Sequence, residues 1–323
     1  MQKLLVKNIG ILAGCHPAEH TLLKGAQMQA LPTIENAWLA IEDGMFADFG
    51  SMEEWPGISD WRGLEVLDAE EGTVLPAWCD SHAHLVYAAS REDEFADRIR
   101  GLSYQEIAEK GGGILNSARK MQQADEDVLF NAAMKRLEEL ILLGTGAIEI
   151  KSGYGLTPEA ELKMLRVIQR IKKAAPIPVK STYLGAHAIP AEFKQDPDAY
   201  VDQVIDLIPV IREEGLADYI DVFCEQGYFS VEQTQRIMEA GLQSGLRAKV
   251  HVNQFNSIGG VQACAAANAL SVDHLEELTD ADLETLMQHP EMISVGLPGC
   301  SLFLSIPYTP ARRIIDAGLP LAL

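Results

Sequence analysis

The chain is short of basic residues. Its 323 positions hold 26 Lys and Arg against 47 Asp and Glu, a formal charge of −21 at pH 7. No basic face can form against that background, so neither nucleic acid nor an anionic membrane surface is an expected partner. Paired cysteines are missing too. Cys15, Cys79, Cys224, Cys264 and Cys300 include no Cys-x-x-Cys spacing. A zinc finger and a disulfide framework are therefore excluded, and the thiols read as those of a reduced, cytoplasmic protein. No run of eighteen apolar residues is present, so no membrane-spanning helix is expected. Repeats and low-complexity segments are absent as well. The N-terminus contains Leu12-Ala13-Gly14-Cys15, which looks like a lipoprotein box. Lys7 and Asn8 split the apolar run before it, below the roughly 7–15 residues that a secretory signal needs. A β-strand at Lys3–Ile9 is the expectation there.

Hydrophobic residues make up 47% of the chain, enough at this length to bury a large core. Two regions differ in pattern. Residues 1–71 are short apolar pieces (Leu4–Ile9, Ala37–Ile41, Met45–Phe49, Gly63–Leu67) separated by Gly, Pro and acidic turns. Asp43-Gly44 between two of them is a hairpin signal, and the region reads as a small β-rich domain. In residues 72–323, short apolar strands alternate with amphipathic helical stretches. Strands are predicted at Val74–Trp78, Ala147–Lys151, Val179–Leu184, Tyr219–Cys224, Lys249–Val252, Leu270–Val272, Ile293–Gly296 and Leu319–Leu323. Thr157-Pro158 marks a helix start, and Ser230 with Gln233 and Thr279 with Asp282 have capping-box spacing. This α/β alternation predicts a (β/α)8 TIM-type barrel, for which about 250 residues is typical.

Active sites of such barrels form at the C-terminal strand ends, and that is where the histidines fall. His82 and His84 follow the first predicted strand, His187 the third, His251 lies in the fifth and His274 closes the sixth. His82 and His84, two apart on an extended segment, project to one side. With a third nitrogen from another strand they suit Zn²⁺ or Fe²⁺ with a position left open for water. His251, inside an apolar strand, is the best third ligand. His187 reads equally as a ligand, a substrate-binding donor or a hydrogen-bonded core residue. Asp273 reads either as a carboxylate serving its neighbour His274 or, pointing the other way on its strand, as the partner of another element. Arg91, on the loop over the barrel mouth, can hold an anionic substrate bidentately. Gly111-Gly112-Gly113 lacks the Gly-Lys-Ser/Thr of a phosphate cradle and reads as a loop near the site. The acidic stretches Glu92 to Asp97, Glu138-Glu139 and Glu276-Glu277 read as solvated faces.

These residues resemble the amidohydrolase superfamily and, within it, the imidazolonepropionase family of histidine degradation. The likeness runs from about Thr73 to Leu323. It rests on Asp80-Ser81-His82-Ala83-His84, on Leu102-Ser103-Tyr104-Gln105-Glu106-Ile107 leading to Gly111-Gly112-Gly113-Ile114, and on Glu149-Ile150-Lys151-Ser152-Gly153-Tyr154-Gly155-Leu156. Tyr183-Leu184-Gly185-Ala186-His187 and Ser271-Val272-Asp273-His274-Leu275 complete it. The resemblance implies one Zn²⁺ or Fe²⁺/Fe³⁺ ion on His82, His84 and His251. It implies substrate binding by Arg91, Tyr104, Tyr154 and His187, a catalytic His274, a small anionic imidazolone as substrate, and a homodimer. Hydrolysis of 4-imidazolone-5-propanoate to N-formimidoyl-glutamate is the implied reaction. Cys224-Glu225 stands where two-metal members carry a bridging Lys, so one ion is expected. Gln254 stands where the family often has Glu three residues after the third metal His; it can bind the substrate but cannot take a proton. The family's metal-binding Asp follows the eighth strand, and the segment completing the small domain lies beyond it, so both are expected past Leu323. Two other readings follow from these departures: an inactive or ligand-binding fragment, and a deaminase on the same barrel.

Overall fold

The computed structural model describes residues 2–17, 19–102, 106–107 and 112–323. The chain forms two compact units, Met1–Ala77 and Trp78–Leu323.

In the first unit β1 (Lys3–Ala13) lies inside a five-stranded sheet of order β3-β2-β1-β4, with β5 (Thr73–Val74) also on β1. β1 runs antiparallel to β2 (Thr33–Glu42) and parallel to β4 (Leu64–Asp68). Val6, Ile9 and Leu12 bury against Ala37 and Leu39 and form the apolar core of this sheet. The hairpin at Asp43-Gly44 is present. It joins β2 to β3 (Met45–Ser51), and both turn residues have left-handed φ, 49° and 79°, as a two-residue hairpin requires.

One predicted strand is corrected. Val74–Trp78 does not open the barrel, because Thr73 and Val74 pair with Ile11 and Leu12 of β1. Pro76 has no N–H to continue a ladder. The first barrel strand is instead β6 (Trp78–Ala83), and the units divide after Ala77 rather than after residue 71.

The second unit is an eight-stranded parallel sheet in which each strand pairs with the next in sequence, from β6 to β13. The others are β7 (Thr145–Lys151), β8 (Val179–Ala186), β9 (Tyr219–Cys224), β10 (Arg247–Val252), β11 (Ser271–His274), β12 (Ile293–Val295) and β13 (Leu321–Ala322). This is the sequential order of a (β/α)8 barrel. The connecting helices start where the sequence signals them. Thr157 caps the helix Pro158–Ala174, and capping boxes at Ser230/Gln233 and Thr279/Asp282 open Val231–Gln243 and Asp280–Gln288. Apolar faces such as Met164, Leu165, Ile168 and Ile171 pack onto the strands and form one continuous core.

That packing leaves no room at Gly241, where a Cβ would lie 2.6 Å from Cγ2 of buried Ile220. Glycine to alanine inside a helix ordinarily stabilises by up to about 1 kcal/mol. Here Gly241→Ala is expected to destabilise by about 1–3 kcal/mol through overpacking, which urea denaturation measures.

Candidate metal centre and active site

The C-terminal strand ends bring five imidazoles together. Ring centroids of His82 and His251 lie 4.4 Å apart, His251 and His274 5.0 Å, and His84 stacks on His187 at 5.0 Å. Two groups of three, His82/His251/His274 and His84/His187/His251, each offer nitrogens within 4.8 Å of one another. They open onto a cavity of about 610 Å³ that Arg91, Tyr154 and Gln254 also line. Eight of the nine residues singled out in the sequence therefore share one cavity; the ninth, Tyr104, lies outside the described residues.

A buried charge network lies against the imidazoles. Lys151, fully buried, donates to Glu149 at 2.9 Å and to Asp221 at 2.8 Å, and stands 3.6 Å from Asp273. Lys249 donates to Ser271 at 2.8 Å and is 3.7 Å from both Glu149 and Asp273. Two of these carboxylates grip imidazoles. Asp273 Oδ2 meets His82 Nδ1 at 2.7 Å. Asp221 accepts the His251 backbone N–H at 3.1 Å, and its other oxygen lies 2.9 Å from His251 Nδ1, off the hydrogen-bonding direction. Burial opposes the charge of Asp273, but Lys249 and Lys151 outweigh it and hold its pKa below the ordinary value. Burial prevails at Asp221 and Glu149, which are raised despite Lys151. For Lys151 burial is overcome by the three carboxylates, which raise its pKa.

Of the two readings of Asp273 the second holds: it partners His82 of another strand and not its neighbour His274, because adjacent strand residues face opposite sides. The carboxylate beside His274 is Glu276, which reads in sequence as solvated yet is only 5% exposed. Its oxygens lie 3.3 and 3.4 Å from His274 Nδ1, and Ser301 Oγ donates to it at 2.8 Å. The backbone makes this contact by turning through φ +87° at His274 and +60° at Leu275, strain of the kind found at functional sites. Glu94, also read as solvated, is half-buried and receives both the Arg91 guanidinium and the Gly113 N–H.

His187 is settled by its partner. Its Nδ1 lies 3.0 Å from the Gly153 carbonyl, which can only accept, so Nδ1 carries the hydrogen. Burial lowers its pKa to about 4, which leaves the ring neutral at pH 7 with a bare Nε2. In that neutral form Nε2 can accept a hydrogen bond or ligate. Burial likewise holds His82, His84 and His251 well below the ordinary imidazole value, and His84 Nδ1 is buried without a partner. Neutral, lone-pair-bearing nitrogens in two groups that share His251 fit a divalent cation, although the expected set of His82, His84 and His251 is split between the two groups. Cys300 lines the same cavity, 3.5 Å from Gln254 Nε2. Burial pushes its thiol up to about 12, so it is no thiolate nucleophile.

The same architecture is found in solved structures of low identity. A triazine hydrolase from Arthobacter aurescens matches with a TM-score of 0.70 at 13% identity, over 99% of this chain and 71% of that one. A 5-methylcytosine deaminase from Klebsiella pneumoniae gives 0.67 at 12%, over 99% and 73%. These likenesses define the class of fold, a (β/α)8 barrel that here gathers imidazoles at its C-terminal strand ends. No family model matches the chain. Curated relatives narrow the class. The imidazolonepropionase of Christiangramia forsetii is 56% identical over 321 residues, 99% of this chain and 77% of that protein. That of Geobacillus kaustophilus is 40% identical over 326 residues, 100% and 77%. The chain belongs to the imidazolonepropionase family.

Removing Lys151 leaves buried Glu149 and Asp273 with Lys249 at 3.7 Å, and takes from Asp221 its lysine partner. Lys151→Met is expected to cost about 3–5 kcal/mol of stability, read by chemical denaturation. A second expectation concerns acid. The four imidazoles with lowered pKa stay neutral in the folded state while the unfolded chain protonates them near 6.5. Stability of the metal-free protein should therefore fall as pH drops from 6.5 towards 4. Denaturant midpoints across that window measure it, and His187→Gln should flatten the slope.

Proposed function

We propose that the chain hydrolyses 4-imidazolone-5-propanoate to N-formimidoyl-glutamate, a step of histidine degradation. The observation that carries this reading is the identity to curated imidazolonepropionases over nearly the whole chain. His82, His84 and His251 would hold the ion, as Zn²⁺ or iron, both of which suit imidazole. Bound there, the ion supplies Lewis acidity and brings the pKa of water from 15.7 to about 7.

The remaining work falls to the protein. Asp273 orients the His82 ring through Nδ1, and Asp221 fixes the His251 backbone N–H, so both residues are set before substrate arrives. Ring opening adds water across the amide. The oxygen ends on the carbonyl carbon as carboxylate, the C–N bond breaks, and the ring nitrogen takes up a proton. His274, backed by Glu276, would polarise the carbonyl and carry that proton. Gln254 can hydrogen-bond the ring but not act as a base. His187 accepts from a ring N–H, beside Tyr154, whose ring lies 5.4 Å away. Arg91, oriented by Glu94, meets the propanoate carboxylate; Tyr104 joins it by resemblance alone.

Incubating the metal-loaded protein with the imidazolone and following its ultraviolet absorbance tests the reading. Loss of absorbance is expected, and a metal-loaded protein without turnover contradicts it. Arg91→Ala should raise KM about tenfold or more with kcat little changed. An unchanged KM would favour a substrate without a carboxylate, as in deamination.

A further inference from the structure

Glu161, on the helix Pro158–Ala174, is only 2% exposed, and burial raises its pKa. The helix does not need it as a cap, since Thr157 already accepts the Ala160 N–H at 3.3 Å. Its carboxylate instead reaches back over the loop that follows β7. One oxygen accepts the N–H groups of Gly155 at 2.7 Å and Leu156 at 3.0 Å, and the other that of Gly153 at 3.1 Å. The Ser152 side chain also hydrogen-bonds it, and Ser152 Oγ in turn accepts the Leu184 N–H at 3.0 Å. The loop is shaped around this group. Gly153 and Leu156 have φ of +108° and +56°, and a Cβ on Gly155 would lie 2.8 Å from a Glu161 oxygen.

The loop then acts on the cavity. The Gly153 carbonyl receives the His187 Nδ1 hydrogen, and a Cβ on Gly153 would lie 2.9 Å from that nitrogen. Tyr154, between the two glycines, places its ring 5.3 Å from His84 and 5.4 Å from His187.

We propose that Glu161 is a specificity-determining positioning residue: by clamping residues 152–156 it fixes His187 with its hydrogen on Nδ1, so that Nε2 selects a substrate ring bearing an N–H. The substrate part rests on the imidazolone reading above; the clamp itself does not. A ring alkylated at that nitrogen has no hydrogen to donate to the Nε2 lone pair and is rejected.

The test uses zinc-loaded protein with ¹⁵N-labelled histidine, whose NMR spectrum reports the tautomer of each ring without turnover. Wild-type His187 is expected as the Nδ1–H form. Glu161→Gln turns an amide N–H against the Gly153 N–H, so His187 should lose that tautomer while zinc content is unchanged. In the ring-opening assay the same variant should raise KM several-fold, up to about tenfold, the size of one lost hydrogen bond, with kcat little altered. Glu161→Asp, one methylene shorter, should give the same shift in milder form. A wild-type His187 protonated on Nε2 overturns the proposal before any variant is made. Variants that lose stability yet keep the wild-type tautomer and KM overturn it as well. Absence of imidazolone turnover with the tautomer result intact would instead sink the substrate reading alone.

Discussion

Everything at the barrel mouth depends on a cation that never reaches solvent. Lys151 stands among Glu149, Asp221 and Asp273, three carboxylates contributed by three strands. Withdrawing such charges from water costs several kcal/mol per ion, so they persist only with close partners in good geometry. Asp221 and Asp273 have a second task, since the same Oδ2 atoms that face lysine also lie against His251 and His82. The ion network and the imidazole cluster are therefore one structure. Barrel strands bring the charges together, the charges hold the carboxylates, and the carboxylates hold the rings.

The same device recurs in the loops. Glu225 accepts the backbone N–H groups of Phe255 and Asn256 at 2.9 and 3.2 Å, pinning the segment that carries Gln254. Asp282 takes the Asn253 amide and the Ser257 hydroxyl, both at 2.9 Å, one turn away from it. Glu161 pins the Gly153–Leu156 loop, and Glu276 braces His274. An acidic composition of −21 first speaks only about partners. Part of that excess acid is in fact internal framework, where each carboxylate satisfies backbone or imidazole donors that would otherwise be buried without partners.

The imidazoles were legible in the sequence because their signal is local: His82 and His84 two apart, and three more histidines at strand ends. Their partners were not, because Asp273 stands 191 positions from His82 and Asp221 70 from Lys151, and only barrel closure joins them. A weaker signal was present, since Glu149, Lys151, Asp221 and Lys249 interrupt otherwise apolar strands. Glu276 was hidden by left-handed backbone at His274 and Leu275, which no propensity argument places at such residues. The displaced first barrel strand has a different origin. Thr73 and Val74 are a true strand, but one that belongs to the sheet of the other unit.

The central claim is that buried carboxylates hold His82 and His251, with His84, as the ligands of one metal ion. Anomalous diffraction from crystals grown with zinc, recorded on both sides of the absorption edge, tests it most directly. The account predicts one strong peak bonded to His82, His84 and His251, with Asp273 still on His82 Nδ1. A peak held by His187 in place of His82, or two peaks of equal height among the five imidazoles, would contradict it.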